Sequence, residues 1–355
     1  MPICGSQVIL CDVPIRFDTY IGCSHYCSYC FVQRSKDVFA NVKPGEGAES
    51  LRRFINGERT TETRWCDWDI PLHWGGLSDP FQPAELKYKR SLEALKVFAE
   101  TKYPFIVSTK NKIISEEPYL SLIKQCDCVV QFSAACDSYD NFEKGASTFR
   151  ERLDAARKIS PYKRVIIRCQ PYIPKYFDEI KNSIEKFHEA GVYGVVFEGI
   201  KYTRKVKGTI KKRADFVFPS DLYKRHFSIF KEMLHKRGMR FYCGENRLRA
   251  MGDSLCCCGI DGLGWKPNTY NLNHYIYDKQ NYRHTDAMMK EGSCLCFQCL
   301  SQKSKTRGVL KKISFVEMMD AQSRDLSSVC NLVEDSKAEQ LQISVKRGKH
   351  VKSKR

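Results

Sequence analysis

Residues 21–31 have the sequence IGCSHYCSYCF, which places Cys23, Cys27 and Cys30 at C-x3-C-x2-C spacing. Four thiolates would complete the ligand set of a cubane iron–sulfur cluster or of a structural zinc ion. Three thiolates, with no fourth cysteine close by in sequence, leave one iron of a [4Fe–4S] cluster open to a substrate or a cofactor. The stretch therefore predicts a reactive iron–sulfur site. The alternative is a zinc knuckle that takes a distant fourth ligand such as His25 or Cys11.

The composition indicates a globular protein with metal-binding cysteines. A chain of 355 residues, 42% hydrophobic and 12% aromatic, has room for one large domain and an appendage. No stretch approaches the ~18 apolar residues that span a bilayer, and we find no signal-peptide pattern at the N-terminus. Eighteen cysteines in such a chain favour metal or iron–sulfur ligation in a reducing compartment over a disulfide scaffold. We therefore expect a cytoplasmic protein without a membrane segment.

The charge is strongly positive and clustered. The formal net charge is +18, and two dense basic runs lie at residues 204–213 and 346–355. Clustered Lys and Arg suit contacts to phosphates, which position a nucleic acid without reading its sequence. We predict nucleic acid as a partner; the alternative is a generally basic surface without a polyanionic ligand.

Short apolar runs alternate with longer amphipathic segments along the first 245 residues. The predicted strands are 14–17, 70–75, 105–109, 128–133, 164–169, 194–197 and 239–243. The predicted helices are 84–101, 118–125, 149–159, 177–190 and 219–237. Alternating strands and helices predict an α/β fold with a parallel sheet, in the form of a partial or complete (β/α) TIM-like barrel. The cysteine triplet then lies in the first βα-loop, where such barrels carry their chemistry.

The pattern changes after this region, and it predicts three parts. Residues 1–245 are predicted to form the barrel, residues 246–300 a Cys-rich metal-binding extension, and residues 301–355 a basic, partly disordered tail with one helix at 315–324. In the extension the apolar periodicity is too weak to stabilise a fold by packing alone, so a metal crosslink is a natural stabiliser. We predict a second iron–sulfur or zinc centre whose candidate ligands are Cys256, Cys257, Cys258, Cys294, Cys296 and Cys299.

Four motifs in order resemble the spore photoproduct lyase branch of the radical S-adenosylmethionine (SAM) superfamily. They lie at residues 22–33, 73–80, 108–110, and 132–133 followed by 142–157. The first is the cysteine loop, and the other three begin at or near the ends of predicted strands. The resemblance implies a radical SAM barrel in which Cys23, Cys27 and Cys30 ligate three irons of a [4Fe–4S] cluster. The fourth iron would take the amino and carboxylate groups of SAM.

The same resemblance implies how SAM is held. Tyr29 and Phe31 would flank the adenine, while Ser78, Lys110 and Ser133 would hold the methionyl and ribose ends. The pair Gly75 and Gly76 would let the backbone approach the cofactor closely, and Lys110 would offer a cation to its carboxylate. An external one-electron donor such as flavodoxin or ferredoxin is implied as a partner.

One departure from the family pattern separates this chain from true spore photoproduct lyases. They carry a hydrogen-donating cysteine before the Ser–Asp pair of the second motif, where this sequence has Gly76. Cys136, at the end of the fourth predicted strand, is a possible replacement as hydrogen donor. The polar residues that follow or end the later strands are candidate substrate contacts: Arg168 and Glu198 first, then Gln170, Glu245 and Asn246.

The sequence thus predicts an enzyme that reductively cleaves SAM at a [4Fe–4S] cluster to a 5′-deoxyadenosyl radical. That radical would abstract hydrogen from a nucleic acid or nucleotide-like substrate, in modification or repair. One alternative is a radical SAM enzyme that modifies a peptide or a small metabolite. Another, from a different class, is a zinc-stapled nucleic-acid-binding protein without catalysis.

Overall fold

A computed structural model describes residues 1–4, 11–34, 41–60, 63, 66, 68–212, 215–268, 271 and 273–274. Three of the predicted second-centre ligands, Cys294, Cys296 and Cys299, lie outside the described residues. The predicted tail at 301–355 and its helix at 315–324 do so as well.

The described residues form short strands and seven α-helices. The strands are β1 (Ile3–Cys4), β2 (Ile15–Phe17), β3 (Tyr20–Ile21), β4 (Lys43–Pro44), β5 (Leu72–Trp74), β6 (Phe105–Thr109), β7 (Cys128–Ser133), β8 (Arg164–Tyr172), β9 (Gly194–Gly199), β10 (Lys201–Tyr202), β11 (Ile210–Lys212), β12 (Asp215–Val217) and β13 (Arg240–Cys243). The helices are α1 (Ala48–Ile55), α2 (Ala84–Tyr88), α3 (Arg90–Thr101), α4 (Tyr119–Gln125), α5 (Phe149–Ile159), α6 (Phe177–Glu189) and α7 (Ser220–His235).

The main sheet has the order β1-β2-β5-β6-β7-β8-β9-β13. All strands from β2 to β13 in this order are parallel, and β1 adds to β2 in the antiparallel direction. The sheet ends at β1 on one side and at β13 on the other, which describes a partial (β/α) barrel. The α/β fold class and all seven predicted strands are confirmed, with ends that differ by up to three residues.

The outer face of the sheet packs against the helices in a large aromatic core. Phe17 and Trp74 are fully buried, and the rings of Phe98 and Phe105 stack with centroids 4.0 Å apart. Each fully buried side chain of this kind contributes roughly 1.5–3 kcal/mol to folding. We call this cluster the outer core; it fixes the positions of the strands and of their C-terminal ends.

The inner face of the sheet packs against a smaller cluster, the inner core. It comprises strand residues that alternate with those of the outer core and residues from the segment after β13: Val13, Ile106, Val129, Ile166, Val196, Tyr242, Cys256, Cys258 and Ile260. Gly259 touches the sheet so closely that an added Cβ would lie 2.7 Å from Ile166 Cδ1. Residues 256–260, which lie in the predicted extension 246–300, therefore pack inside the barrel.

The predicted helix at 84–101 is two helices, α2 and α3, broken at Lys89 with φ +53°. The buried carboxylate of Glu85 causes the break, because it accepts hydrogen bonds from Ser91 N and Leu92 N, both at 2.9 Å. An acidic group at these positions satisfies the first N–H groups of α3 and suits the positive end of its dipole.

Besides the two-residue strands β1, β3 and β4, of which β3 and β4 form a sheet of their own, two features escaped the sequence analysis. Helix α1 follows the cysteine loop, and the antiparallel strands β10, β12 and β11 form a small sheet directly after β9. The sequence pattern predicted neither, because each is short and lies among polar residues. Among the helices of the described residues, none is long and apolar enough to cross a membrane.

Candidate functional site

The cysteine triplet lies in the connection after β2, as predicted, and ends in a 3-10 helix at Phe31–Arg34. All three residues are thiols within electrostatic reach of one another. Burial raises the pKa of Cys23 and of Cys27 to about 12, with Asp79 adding to the effect at Cys23 and Lys110 opposing it at Cys27. Thiols in this state bind a metal only with release of protons.

The capacity of the triplet to hold a cluster rests on the chemistry of its donors. Within the part of the chain that the structure describes, no group of three or more His, Cys, Asp or Glu side chains has a geometry that could hold a metal ion. The donor set nevertheless fits an open-iron cluster, since it consists of three soft thiols on one short loop.

Gln82 fixes the first part of the cysteine loop. Its side chain is fully buried and uses both ends of the amide. Its Oε1 accepts from Ser24 N at 2.9 Å, and its Nε2 donates to Gly22 O at 3.0 Å. A buried amide satisfied on both sides holds the loop backbone on either side of Cys23 in one conformation.

His25 fixes the middle of the loop between the segments that follow β5 and β7. Its Nδ1 lies 2.9 Å from Gly145 O, and its Nε2 lies 3.0 Å from Asp79 Oδ2. Asp79 also accepts from Lys110 N at 2.6 Å. Both ring nitrogens of His25 thus face acceptors. Cys11, the other candidate for a fourth ligand, lies elsewhere, with its Sγ 3.9 Å from Cys258 Sγ. This arrangement disfavours both residues as the fourth ligand of a zinc knuckle.

Glu143 fixes the end of the loop and joins it to the strand ends. Its buried carboxylate lies 2.9 Å from Lys110 Nζ, forms an ion pair with Arg152, and accepts a hydrogen bond from the Tyr29 hydroxyl. Lys110 Nζ also donates to Ser133 Oγ. Burial lowers the pKa of Lys110 to about 8, even though Cys27 and Asp79 favour its charged form. The structure therefore brings three of the predicted SAM contacts, Tyr29, Lys110 and Ser133, into one network.

The remaining predicted SAM contacts have different surroundings. Ser78 is buried and donates to Tyr20 O at 2.7 Å, which is a structural bond. Gly75 turns the chain after β5 with φ +89°, and Gly76 lies against the side chain of Arg16. Phe31 is 63% exposed at the far side of the loop. An exposed aromatic ring next to the triplet is available to a ligand.

A polar layer lies above the inner core. Arg168 Nη1 donates to Gln131 Oε1 at 2.6 Å and to Ser108 Oγ at 3.2 Å, and His73 Nε2 lies 3.0 Å from the same Ser108 oxygen. Burial and the charges of Arg168 and Arg16 hold the pKa of His73 well below its usual value. The imidazole is therefore neutral, and the layer carries positive charge through its arginines.

An acidic group lies at the ends of β8, β9 and β13. Gln170 Nε2 donates to Glu198, and Glu245 Oε1 accepts from Gly199 N at 2.6 Å. Burial and the neighbouring Glu198 raise the pKa of Glu245 to about 7, against the effect of Lys201. Glu198, Gln170 and Glu245, all predicted substrate contacts, thus lie together, while the side chain of Asn246 is outside the described set.

Cys136 is placed away from this face. It is fully buried in the outer core, and its thiol faces Glu179 of α6, which together with burial raises the thiol's pKa. A thiol in that position has no route to a substrate in the barrel. The structure therefore gives no support to Cys136 as hydrogen donor.

The second cysteine group meets Cys11 at the bottom of the barrel. Cys256 Sγ accepts from Cys258 N at 3.3 Å, and both thiols are buried in the inner core. A hydrogen bond from Cys258, with help from the Arg249 guanidinium, lowers the pKa of Cys257 to about 6 despite burial. A second metal centre here stays a prediction, since half of its proposed ligands lie outside the described residues.

The sequence analysis assigned no role to four buried residues that organise the site: Gln82, His25 as an anchor, Asp79 and Glu143. Two signals were present. Asp79 lies in the second motif, and Glu143 and Arg152 lie in the fourth. A charged residue inside a motif at a strand end is a candidate for the network that orients the residues around it.

With this geometry in place, solved structures provide the comparison. A cysteine-to-alanine variant of spore photoproduct lyase superposes with a TM-score of 0.52 and 15% identity, over 68% of this chain and 81% of that one. The chain has the fold of spore photoproduct lyase. The same kind of variant with a dinucleoside spore photoproduct gives a TM-score of 0.51 at 15% identity, over 68% of this chain and 80% of that one. The predicted resemblance is confirmed for the fold.

Another solved structure, SuiB from Streptococcus suis bound to S-adenosylmethionine, gives a TM-score of 0.48 at 12% identity, over 66% of this chain and 51% of that one. Protein-family models and curated proteins give no match to this sequence.

Proposed function

We propose that this protein is a radical SAM enzyme acting on a nucleic acid or a nucleotide-like substrate. When bound, a [4Fe–4S] cluster and SAM would supply an electron and a 5′-deoxyadenosyl radical that abstracts hydrogen from an unactivated carbon. The observation that carries the proposal is the position of the C-x3-C-x2-C loop. It follows the first parallel strand of a spore photoproduct lyase fold and is fastened to Lys110 through Glu143.

The residues around the loop suit SAM. Cys23, Cys27 and Cys30 would hold the cluster, and Lys110 Nζ would offer a cation to the carboxylate of SAM. Ser133 Oγ, which accepts from Lys110 Nζ, would orient that ammonium group. The aromatic ring of Tyr29, 5.5 Å from Lys110 Nζ, would bound the same pocket. The chain's own task is to bind and orient the cofactor and to exclude water.

A nucleic acid substrate is supported by the small sheet after β9. The first basic run lies on this sheet and its loop, where Arg204, Lys205, Lys207 and Lys211 are exposed. Because β10 begins two residues after β9 ends, these cations stand beside the strand end that carries Glu198. A basic ribbon at that place can hold phosphates while a base enters the barrel, either already unpaired or flipped from a duplex.

The radical chemistry is tested by anaerobic reconstitution of the wild type and of a Cys23/Cys27/Cys30→Ala variant. We expect the variant to lose about four irons per chain relative to the wild type. The wild type should contain about eight irons if the second centre is also an iron–sulfur cluster, and about four if it is not. With dithionite and SAM, the wild type should form 5′-deoxyadenosine and the variant should not. A colourless wild type that contains zinc and no iron would refute the proposal and favour the zinc-stapled binding protein.

The substrate class is tested by fluorescence anisotropy with single-stranded oligonucleotides across a salt series. A variant in which Arg204, Lys205 and Lys207 are changed to Gln should bind more weakly and with a smaller salt dependence, by up to about one unit of slope per lost phosphate contact. The matched control changes three surface lysines to Gln: Lys181 of α6, Lys224 of α7 and Lys236 directly after α7. An equal loss of binding in both variants would contradict the nucleic acid assignment. So would SAM cleavage that a peptide stimulates and an oligonucleotide does not.

A further inference from the structure

The inward side chains of the parallel strands become partly exposed towards the strand ends. Ile166 is fully buried in the inner core, whereas Arg168, two positions further along β8 and on the same face, is partly exposed. The outward side chains of these strands are covered by the outer core, so the exposed surface of the inward ones opens into the barrel. We call this opening the barrel mouth. Its partly exposed inward residues on β2, β5, β6, β7, β8 and β9 are Arg16, His73, Ser108, Ser133, Arg168 and Glu198.

Arg168 binds the rest of the protein through one nitrogen of its guanidinium. Its Nη1 donates to Gln131 Oε1 at 2.6 Å and to Ser108 Oγ at 3.2 Å, and both partners are neutral. In the part of the chain that the structure describes, no carboxylate pairs with Arg168, and its Nε–H and Nη2–H groups have no acceptor. These groups are not sealed from solvent. They therefore belong to the surface of the barrel mouth.

The free edge of this guanidinium is the edge that binds oxyanions. Nε–H and one N–H of Nη2 are parallel, and they match two oxygens of a phosphate or of a carboxylate. The two bonds of Nη1 hold the guanidinium in place, which reduces the entropy that is lost when a ligand binds. An arginine inside a fold with only neutral partners carries an uncompensated charge, and an anionic ligand would balance it.

The charges around Arg168 leave room for one further anion. Its positive charge reaches His73, whose pKa is held well below its usual value by burial and by the charges of Arg168 and Arg16. It also reaches Lys110, where it adds to the lowering of the pKa by burial. Lys110 Nζ is balanced by Glu143 at 2.9 Å, whereas Arg168 is paired with neutral groups. The mouth can therefore balance an anionic group in addition to the SAM carboxylate that Lys110 would meet.

Glu198 is the acidic residue of the mouth, and it lies on the opposite side of Arg168. Its carboxylate, on β9, accepts from Gln170 Nε2. Arg168 is held instead by Gln131 of β7 and Ser108 of β6. The negative and the positive side of the mouth are thus separate, and we expect the anion on the side of β6 and β7.

We propose that Arg168 binds a phosphate group of the substrate inside the barrel mouth, through its Nε and Nη2 donors. The net charge of +18 and the exposed basic ribbon at residues 204–211 favour a phosphate over a carboxylate. The inference rests on the proposed function and deepens it, because a nucleotide would then enter the barrel with its phosphate and not with its base alone. Since Arg168 pairs with Ser133 in the sheet register, that phosphate lies next to the predicted SAM contacts.

The test compares the four 5′-deoxynucleoside monophosphates with their four deoxynucleosides. Binding is measured by calorimetry on the anaerobically reconstituted full chain with saturating SAM and no reductant, at one fixed salt concentration. We expect at least one nucleotide to bind at least about 10-fold more tightly than its nucleoside, because hydrogen bonds to a charged group are the strong ones. Absence of such a preference in all four pairs would overturn the proposal.

Variants locate the phosphate. Arg168→Gln removes the charge and should reduce the preference for the nucleotide to less than about threefold, while Arg168→Lys, which keeps the charge without the paired donors, should give an intermediate preference. Arg150→Gln, an exposed arginine of α5, is the matched control and should keep the wild-type preference.

Two results with these variants would overturn the assignment. One is a wild-type preference in Arg168→Gln or in Arg168→Lys. The other is a preference that is lost when Arg204, Lys205 and Lys207 are changed to Gln and kept in Arg168→Gln, since the phosphate would then bind on the basic ribbon. The wild-type comparison and the Lys variant keep the proposal falsifiable if Arg168→Gln does not fold.

SAM is the other source of an anionic group near Arg168, and its affinity is measured in the same way. We expect Arg168→Gln to keep the SAM affinity of the wild type within about twofold. A larger loss of SAM affinity, with the preference for the nucleotide unchanged, would make Arg168 a cofactor residue and overturn the proposal.

A separate readout distinguishes this inference from the proposed function. Formation of 5′-deoxyadenosine from SAM and dithionite is measured without any nucleotide. If SAM is cleaved but no nucleotide is preferred over its nucleoside, the phosphate inference fails and the radical SAM proposal stands. If a nucleotide is preferred through Arg168 but SAM is not cleaved, the phosphate inference stands and the proposed function fails.

Discussion

Glu143 Oε1 lies 2.9 Å from Lys110 Nζ, and through this pair the end of β6 is joined to the segment that packs on the cysteine loop. The backbone repeats the connection, since Cys27 forms a β-bridge with Glu143 and Ser28 N donates to Phe142 O at 2.9 Å. The residue that would meet the carboxylate of SAM and the residues that would hold the cluster are therefore positioned by one buried carboxylate.

Changing Glu143 to Gln should reduce the free energy of unfolding by about 1–3 kcal/mol, because the buried guanidinium of Arg152 loses one of its two carboxylate partners and keeps Asp140 at 2.8 Å. Urea denaturation of the apoprotein measures this. The matched control is Glu151→Gln, which removes a half-exposed charge partner of Lys112 but can keep the cap of α5, because a Gln oxygen can also accept from Thr148 N; it should cost less than about 1 kcal/mol. A loss below about 1 kcal/mol for Glu143→Gln would show that the network is not a stabilising one.

Asp79 should control how well the loop retains iron. Burial opposes its ionisation, but His25 and the N–H groups of Lys110 and Phe81 outweigh that effect and lower the pKa of Asp79. Changing Asp79 to Asn weakens the anchor of His25 between two loop cysteines. We expect reconstituted protein to lose at least half of the iron that depends on Cys23, Cys27 and Cys30, as measured by iron and sulfide content after desalting.

The control for this experiment is Asp154→Asn on α5, where the carboxylate is exposed and pairs with Arg157. It should retain the iron content of the wild type. Equal iron in the Asp79 and Asp154 variants would mean that the cysteines alone hold the cluster and that the His25–Asp79 pair is dispensable.

The sequence predicted well the features that depend on neighbouring residues. The strands β6 (FIVST) and β7 (CVVQFS) are mostly apolar runs, and their predicted and observed bounds agree. Helix α6 ends close to its predicted end at residue 190, and Gly191 follows with φ +70°, a conformation in which glycine commonly ends a helix. The position of the cysteine loop after the first strand follows from the same local pattern.

The sequence could not predict features created by contacts between distant segments. Glu143 acts on Tyr29 across 114 positions of sequence, and Gln82 acts on Ser24 across 58. The break at Lys89 depends on Glu85, whose carboxylate is also held by Tyr119 of another helix. The packing of residues 256–260 inside the barrel has the same origin, because a weakly periodic segment is ordered by the surface that it meets.

The stability of the protein should depend on pH through Glu245. Burial and Glu198 raise the pKa of Glu245 to about 7, against an ordinary value of 4.5. A raised carboxyl pKa means that the folded chain holds its proton longer than the unfolded chain, so wild-type stability falls as the pH rises from about 4.5 to above 7. Glu245→Gln removes this loss, because an amide does not titrate.

The measurement is the difference in free energy of unfolding between Glu245→Gln and the wild type at several pH values. We expect the difference to shift in favour of the variant by up to about 3 kcal/mol between pH 5 and pH 8, at 1.36 kcal/mol per pKa unit. Glu189→Gln should give a difference that stays constant with pH. A constant difference for Glu245→Gln as well would show that its carboxyl is solvated as in the unfolded chain.

Gly75 and Gly57 make a matched pair that tests how tightly the chain turns after β5. Both have a positive φ, +89° and +93°, so alanine at either position costs about 1–2 kcal/mol of backbone strain. At Gly57 nothing lies within 4 Å of an added Cβ, whereas at Gly75 it would lie 2.5 Å from Ser108 O and 2.8 Å from Pro80 Cδ. Gly75→Ala should therefore destabilise the protein by about 1–3 kcal/mol more than Gly57→Ala, since backbone and proline must shift. Equal costs in urea denaturation would mean that this turn relaxes freely, and a turn that relaxes could not hold backbone against a cofactor at the end of β5.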